Sequence, residues 1–186
     1  LLWAHTWLQQ NYPVAGRFLR LPFDHELKVQ DILAPNAHER SEEHPMKTAA
    51  ENEIRQLIDR WMQAVRDRDI PAITAPYADD IVAFDAIQSL QFKGKAAYQA
   101  HWEMCMSMCP GPMVFELAQL TVHAEGELGL AHWLNRCGPG DDESQCGFMR
   151  ATVGYRKAAG QWQVIHEHWS APFDMQTQKA LFDLKP

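Results

Sequence analysis

Apolar side chains recur every three or four residues over residues 49–68, at Ile54, Leu57, Ile58, Trp61, Met62 and Val65. Glu51, Arg55, Asp59, Arg66 and Asp67 fill the opposite face, so the segment predicts an amphipathic helix. Thr48, with Glu51 three positions on, is a capping box at its start, and Pro71 stands just past its end. A second, short helix is expected from Ile70 to Tyr77, followed by a turn at Asp79-Asp80. Short strands are expected at Ile81–Phe84 and Ser89–Phe92. Gly94 precedes a third helix from about Lys95 to Met108, which Pro110-Gly111-Pro112 stops.

The rest of the chain changes period. Four long strands are expected, at Met113–Ala124, Leu128–Cys137, Cys146–Lys157 and Gln161–Ser170. Glu125-Gly126-Glu127, the loop 138–145 and Ala158-Ala159-Gly160 join them, and Pro172 ends the last. Residues 174–185 are expected to form a short terminal helix. Helices first and a meander of strands afterwards argue an α+β fold rather than βαβ units. The packing that follows is a curved antiparallel sheet wrapped over the N-terminal helices, with a concavity between them.

Composition narrows the possible partners. The 186 residues carry 17 Lys and Arg against 24 Asp and Glu, a net charge of −7, so no basic surface is available to track phosphates and nucleic acid is not an expected partner. No apolar run approaches the roughly 20 residues that span a bilayer. Four cysteines are too few for a disulfide scaffold. With no recognisable export signal, free thiols and a cytoplasmic location are expected. Cys137 and Cys146 flank a hairpin loop and are the one pair that an oxidising compartment would bring into question. Residues 1–45 form an extension or linker of scattered apolar groups followed by a polar stretch. They are either a natural extension that packs on the domain or a partner, or the product of a misassigned start, with Met46 as the true beginning.

The order of the pieces, with the residues in them, resembles the nuclear-transport-factor-2-like superfamily, in its SnoaL-like and ketosteroid-isomerase-homologue branch. The matching pieces are Ile54-Arg-Gln-Leu-Ile-Asp-Arg-Trp61, Tyr77-Ala-Asp-Asp-Ile-Val-Ala-Phe-Asp85 and Phe92-Lys-Gly94, then Met149-Arg-Ala-Thr152 and Trp162-Gln-Val-Ile-His-Glu-His-Trp-Ser170 followed by Pro172. The resemblance covers roughly residues 50–173, within a domain placed at 46–174 and followed by a tail at 175–186. It implies a cone-shaped α+β barrel with a deep pocket, and commonly a homodimer through the outer sheet face. It does not imply one activity, because the superfamily holds isomerases, dehydratases, cyclases and modules that only bind or assemble.

Strand alternation selects the side chains that can see such a pocket. Arg150 and Thr152 share a face of the third long strand. Arg150 is expected either to clamp an anion or carbonyl in the pocket or to pair with Asp85 or Glu167. His132, in an otherwise apolar strand, is a candidate catalytic group or a hydrogen-bonded core residue. If it shares the concave face with Arg150, the two make a polar pair in the pocket, and a one-residue slip would undo this. Asp85 ends a short apolar strand, where a carboxylate beside a cavity can act as a base or simply cap a turn. Tyr98 and Trp102 share a face of the third helix with Cys105 and Cys109, as core or as an aromatic pocket wall.

On the last strand, two arrangements stay open. Either His166, His168 and Ser170 face inward, which makes His168 a candidate acid or base, or they face outward and Glu167 with Trp169 lines the pocket. Two histidines at this spacing begin a metal site, but no further ligands with suitable spacing follow, so neither metal nor other cofactor is expected. The candidates are therefore Asp85, His132 and His168 for chemistry, and Tyr98, Trp102, Arg150, Thr152, Glu167 and Trp169 for binding. The function they suggest is binding of a small apolar, carboxylate or carbonyl ligand, with cofactor-independent isomerisation, dehydration or cyclisation of a carbonyl compound. The alternative is a ligand-binding or oligomerisation module without turnover.

Overall fold

The computed structural model describes residues 48–186, so the expectations placed on residues 1–45 lie outside the described part. The first helix, α1 (Ala49–Asp67), starts on the capping box: the Thr48 hydroxyl accepts from the Glu51 amide and the Glu51 carboxylate accepts from the Thr48 amide. It ends at Arg68, whose left-handed backbone (φ 61°) closes the last turn. Ile54, Ile58, Trp61, Met62 and Val65 are all buried. Each contributes about 1.5–3 kcal/mol by leaving water. Helix α2 (Ile70–Thr74) is shorter than expected, because Tyr77 already begins strand β1 (Tyr77–Phe84). Of the next expected strand, Ser89–Phe92, only Phe92 pairs, and β2 is Phe92–Lys93. Helix α3 (Lys95–Met108) follows, then β3 (Met113–Glu125), β4 (Leu128–Pro139), β5 (Gly147–Ala158) and β6 (Gln161–Ser170).

The six strands form one sheet in the order β2-β1-β6-β5-β4-β3. The long strands pair antiparallel as a meander, whereas β1 runs parallel to β6, so the sheet is mixed. The fold is α+β, a curved sheet over helices. Two bulges explain the curvature. On β3 the register shifts between Ala118 and Thr121, and Gln119 takes a left-handed φ of 57°. On β6, Gly154 pairs with His166 and Tyr155 with Val164, which leaves Ile165 as the extra residue. A bulge bends its strand and reverses the alternation beyond it. Trp162 and Val164 therefore share the buried face with Glu167 and Trp169, two steps of opposite parity.

Gly129 on β4 allows the closest approach of α1: a Cβ there would collide with Ile54 Cδ1. The tail contains no helix. Asp174 Oδ1 accepts from the amides of Gln176 and Thr177, a turn that leads into a bridge between Phe173 and Ala180. The Phe182 carbonyl then accepts from the Phe148 amide. The tail's backbone pairs with neighbouring chain and is not free to pair with itself. Among the described residues, no helix is long and apolar enough to cross a membrane.

Candidate functional site

All the ends that matter meet at one end of the sheet: the exits of β1, β4 and β6, the entries of β3 and β5, and the C-terminus of α3. Between them and α1 lies a cavity of about 550 Å³. That is the size of a small-molecule pocket. Its wall is apolar and rich in sulfur, from Cys105, Met106, Met108, Cys109, Met113, Cys137 and Met149. Such side chains are polarizable and adapt to the shape of an occupant. Trp102, Phe115 and Trp169 add aromatic surface, and Asp85 and His101 supply the titratable groups other than thiols. Among the described residues, no Lys or Arg lines it.

The loop 109–112 at the mouth is fixed by Arg68. Its guanidinium donates to the carbonyls of Met106 (2.5 Å), Cys109 (2.7 Å) and Gly111 (3.0 Å). This cation is fully engaged by backbone and does not address the cavity.

Asp85 follows the last residue of β1 and turns the chain, with Oδ1 accepting from the Ile87 amide at 3.0 Å. The same oxygen lies 3.3 Å from His101 Nε2. His101 is 5% exposed and stacks on Phe92 and Tyr98, with ring centroids 4.2 and 5.8 Å away. Its Nε2 also lies 3.6 Å from the Cys105 sulfur, while its Nδ1 is buried without a hydrogen-bond partner among the described residues. Burial, the Asp85 charge and Cys109 push the Cys105 thiol up to about 11, so it stays protonated.

Behind this wall sits a second carboxyl group. Glu167 is 2% exposed and does not line the cavity. Its Oε2 lies 3.0 Å from the Tyr98 hydroxyl and accepts from Trp169 Nε1 at 3.0 Å. The Tyr98 hydroxyl is also 3.2 Å from Asp85 Oδ2. Burial pushes Glu167 up to about 7; hydrogen bonds from Trp169, Tyr98 and Tyr77 oppose this, and the Asp85 charge adds to it. Burial and the Glu167 charge hold Tyr98 and Tyr77 well above the usual tyrosine range. Both hydroxyls therefore remain donors at neutral pH. Tyr77 stacks on Tyr98 with centroids 5.4 Å apart and accepts from Trp102 Nε1 at 3.1 Å.

The candidates from the sequence thus divide. Asp85, Trp102 and Trp169 line the cavity, and Tyr98 and Glu167 stand directly behind it. The other four lie on the outer face of the sheet. His132 and Arg150 are exposed, and Arg150 makes no ion pair among the described residues. His132 pairs with Thr152, and Thr152 with His168, in one row across three strands. His168 is exposed beside Phe84. The concave-face placement of Arg150, Thr152, His132 and His168 is therefore corrected: alternation from the buried Ala151, Val153, Ala131, Trp133 and Glu167 sends all four outward. His166, also outside, donates from Nδ1 to the Val82 carbonyl at 2.7 Å. Cys137 pairs with Gly147, not Cys146, and the four cysteines are unbonded.

Sequence reasoning missed His101. Its signal was present, because His101 stands three residues after Tyr98 and four before Cys105, on the same helical face.

The family model for the SnoaL-like domain matches residues 54–174. The chain belongs to the SnoaL-like domain family. This places it in the NTF2-like superfamily, in the SnoaL and ketosteroid-isomerase branch. Among solved structures, an NTF2-like protein of unknown function from Pseudomonas putida is 88% identical with a TM-score of 0.74, covering 76% of this chain and 99% of that one. A putative dehydratase of the NTF2-like family from Streptomyces avermitilis is 13% identical with a TM-score of 0.59, over 67% of this chain and 97% of that one. A putative ketosteroid isomerase from Parabacteroides distasonis is 19% identical with a TM-score of 0.53, over 67% and 93%. At these identities the last two show the fold alone. No curated protein matches the sequence.

Proposed function

We propose that this SnoaL-like domain binds a neutral, largely apolar carbonyl compound in the cavity and moves a proton on it without a cofactor, as an isomerase, dehydratase or cyclase. The observation that carries the reading is Asp85: a carboxylate held by His101 and Tyr98 at the wall of an apolar cavity. A base so held can take a proton from carbon beside a carbonyl, because it is oriented and poorly hydrated. His101 Nε2, 3.3 Å away, fixes the carboxylate's orientation. The protonated Cys105 thiol is the adjacent donor on the wall.

The wall also argues the charge of the ligand. A carboxylate would lose its hydration, meet Asp85 and find no Lys or Arg among the described lining residues. The indole N–H groups of Trp102 and Trp169 are already engaged by Tyr77 and Glu167. One polar group on the ligand, a carbonyl turned to the Cys105 thiol with its neighbouring C–H toward Asp85, suits this site better than several.

The proposal keeps a cytoplasmic homodimer as the working form. Exposed Phe84, Leu128 and Leu130 on the outer sheet face support the association. The putative dehydratase and ketosteroid isomerase among the structural neighbours support the reaction class by fold only. A ligand-binding module without turnover is the second reading, favoured by how few polar groups the wall presents.

The two are separated by incubating the full chain with 2-tetralone in D₂O and following exchange of the protons beside the carbonyl by NMR, with a thermal melt alongside. Exchange above the buffer rate, lost in Asp85→Asn, supports the enzyme. A raised melting temperature with no exchange supports the binding module. A melt raised by 2-naphthoate but not by 2-tetralone overturns the neutral-ligand reading.

A further inference from the structure

A hydroxyl carries one proton, and the Tyr98 hydroxyl faces two carboxyl groups, Glu167 at 3.0 Å and Asp85 at 3.2 Å. It donates to one of them at a time. Trp169 Nε1 is committed to Glu167. We propose that Glu167 is a positioning residue that acts on Asp85 through Tyr98. With a proton on Glu167, the carboxyl donates to the Tyr98 oxygen and Tyr98 donates to Asp85. With Glu167 ionised, the Tyr98 proton turns to Glu167, and Asp85 loses that donor and gains an anionic neighbour.

The surroundings favour a Glu167 that changes state near neutrality. The groups facing it are Tyr77 from β1, Asp85 from the loop after β1, Tyr98 from α3, Tyr155 from β5 and Trp169 from its own strand. None of them is a cation. The three tyrosines are held protonated by burial and by Glu167 itself. Around Asp85 stand His101, Cys105 and Tyr98, so His101 alone can supply positive charge. Burial, before any other cause, pushes the Glu167 carboxyl up to about 7. Two carboxyl groups linked this way titrate as a coupled pair.

The inference rests on the reading that Asp85 meets the ligand, yet its test needs no ligand. Full-length protein labelled with ¹³C at aspartate side-chain carboxyls is titrated by NMR from about pH 2.5 to 9, which spans the ordinary aspartate range, and Asp85→Asn assigns the Asp85 signal. The expected wild-type curve has a main step and a second inflection near neutral pH. Glu167→Gln, which keeps the size and a donor, removes the second inflection and leaves the main step in place. Tyr98→Phe, an independent route should the first variant fold poorly, raises the main step by about one pH unit, because the anion loses a hydrogen bond. A second inflection that survives Glu167→Gln, or a curve unchanged by Tyr98→Phe, overturns the proposal. Absence of proton exchange with 2-tetralone would remove the catalytic reading and leave this coupling standing, so the two failures are distinguishable.

Discussion

His101 and His132 are the same side chain in two settings. His101 is buried on α3, packed against the rings of Phe92 and Tyr98 and 3.3 Å from a carboxylate. His132 is exposed on the outer face of β4. The same contrast holds between Glu167, 2% exposed and hydrogen-bonded twice, and Arg150, exposed on the neighbouring strand. Inside, each polar group meets little water, and its protonation depends on its neighbours. Outside, water screens each group and leaves it nearly independent. Reactive residue types are found on both faces of this sheet. On the inner side Asp85 and His101 share an apolar cavity, and burial there raises the proton affinity of Glu167, Tyr98 and Cys105.

The largest break in this comparison is chemical. Asp85→Asn should lower proton exchange on a bound ketone by about 10²–10⁴-fold, measured by NMR, whereas His132→Ala should leave it within about two-fold. Comparable losses would mean that the outer face takes part. Next in size is packing. Trp61 lies against Trp102, Phe115, Trp133 and Trp169. Trp61→Ala should cost about 3–5 kcal/mol in denaturant unfolding, because its cavity opens at the centre of the core.

A pH series of unfolding sharpens the contrast further. Glu167 is raised from the ordinary carboxyl range to about 7. Between those values the unfolded chain releases the proton and the folded protein keeps it, so the native state binds more protons and stability falls as pH rises. This contribution is fully present below about pH 4.5, is lost on passing through about pH 7, and is on the order of 3 kcal/mol. Glu167→Gln should flatten the stability profile across that window. A slope unchanged by the substitution would sink the assignment. The smallest effect belongs outside: Arg150→Ala should change stability by no more than about 0.5 kcal/mol, by the same unfolding measurement.

Much of the architecture was legible before any coordinates. Helix α1 is marked at both ends, by Thr48-x-x-Glu51 and by Pro71 just past its end, and it spans Ala49–Asp67. Lys95–Met108 and Gln161–Ser170 stand where periodicity, Gly94 and Pro110 placed them. These signals are local, and local signals survive in a linear reading. The tail was misread because its 174–185 segment takes its partners from Phe148 and its own turn at Asp174, contacts that spacing along the chain does not encode. The site was half legible. Asp85, Trp102 and Trp169 follow from their positions in the strands and helix. The facing of Arg150 and His132 required the register, and both histidines of β6 required the bulge at Ile165.

By itself the sequence determined the two long helices and the four long strands, the α+β class and the family, because periodicity, caps and turn residues are properties of neighbours in the chain. The tertiary structure decided which side of each strand is inside. Bulges at Gln119 and Ile165 reverse alternation at points that no composition marks. It also decided that Asp85 after β1, Tyr98 and His101 on α3, and Glu167 on β6, up to 82 residues apart, share one hydrogen-bonded cluster. Burial and distance set their chemistry, and both are quantities that exist only once the chain has closed on itself.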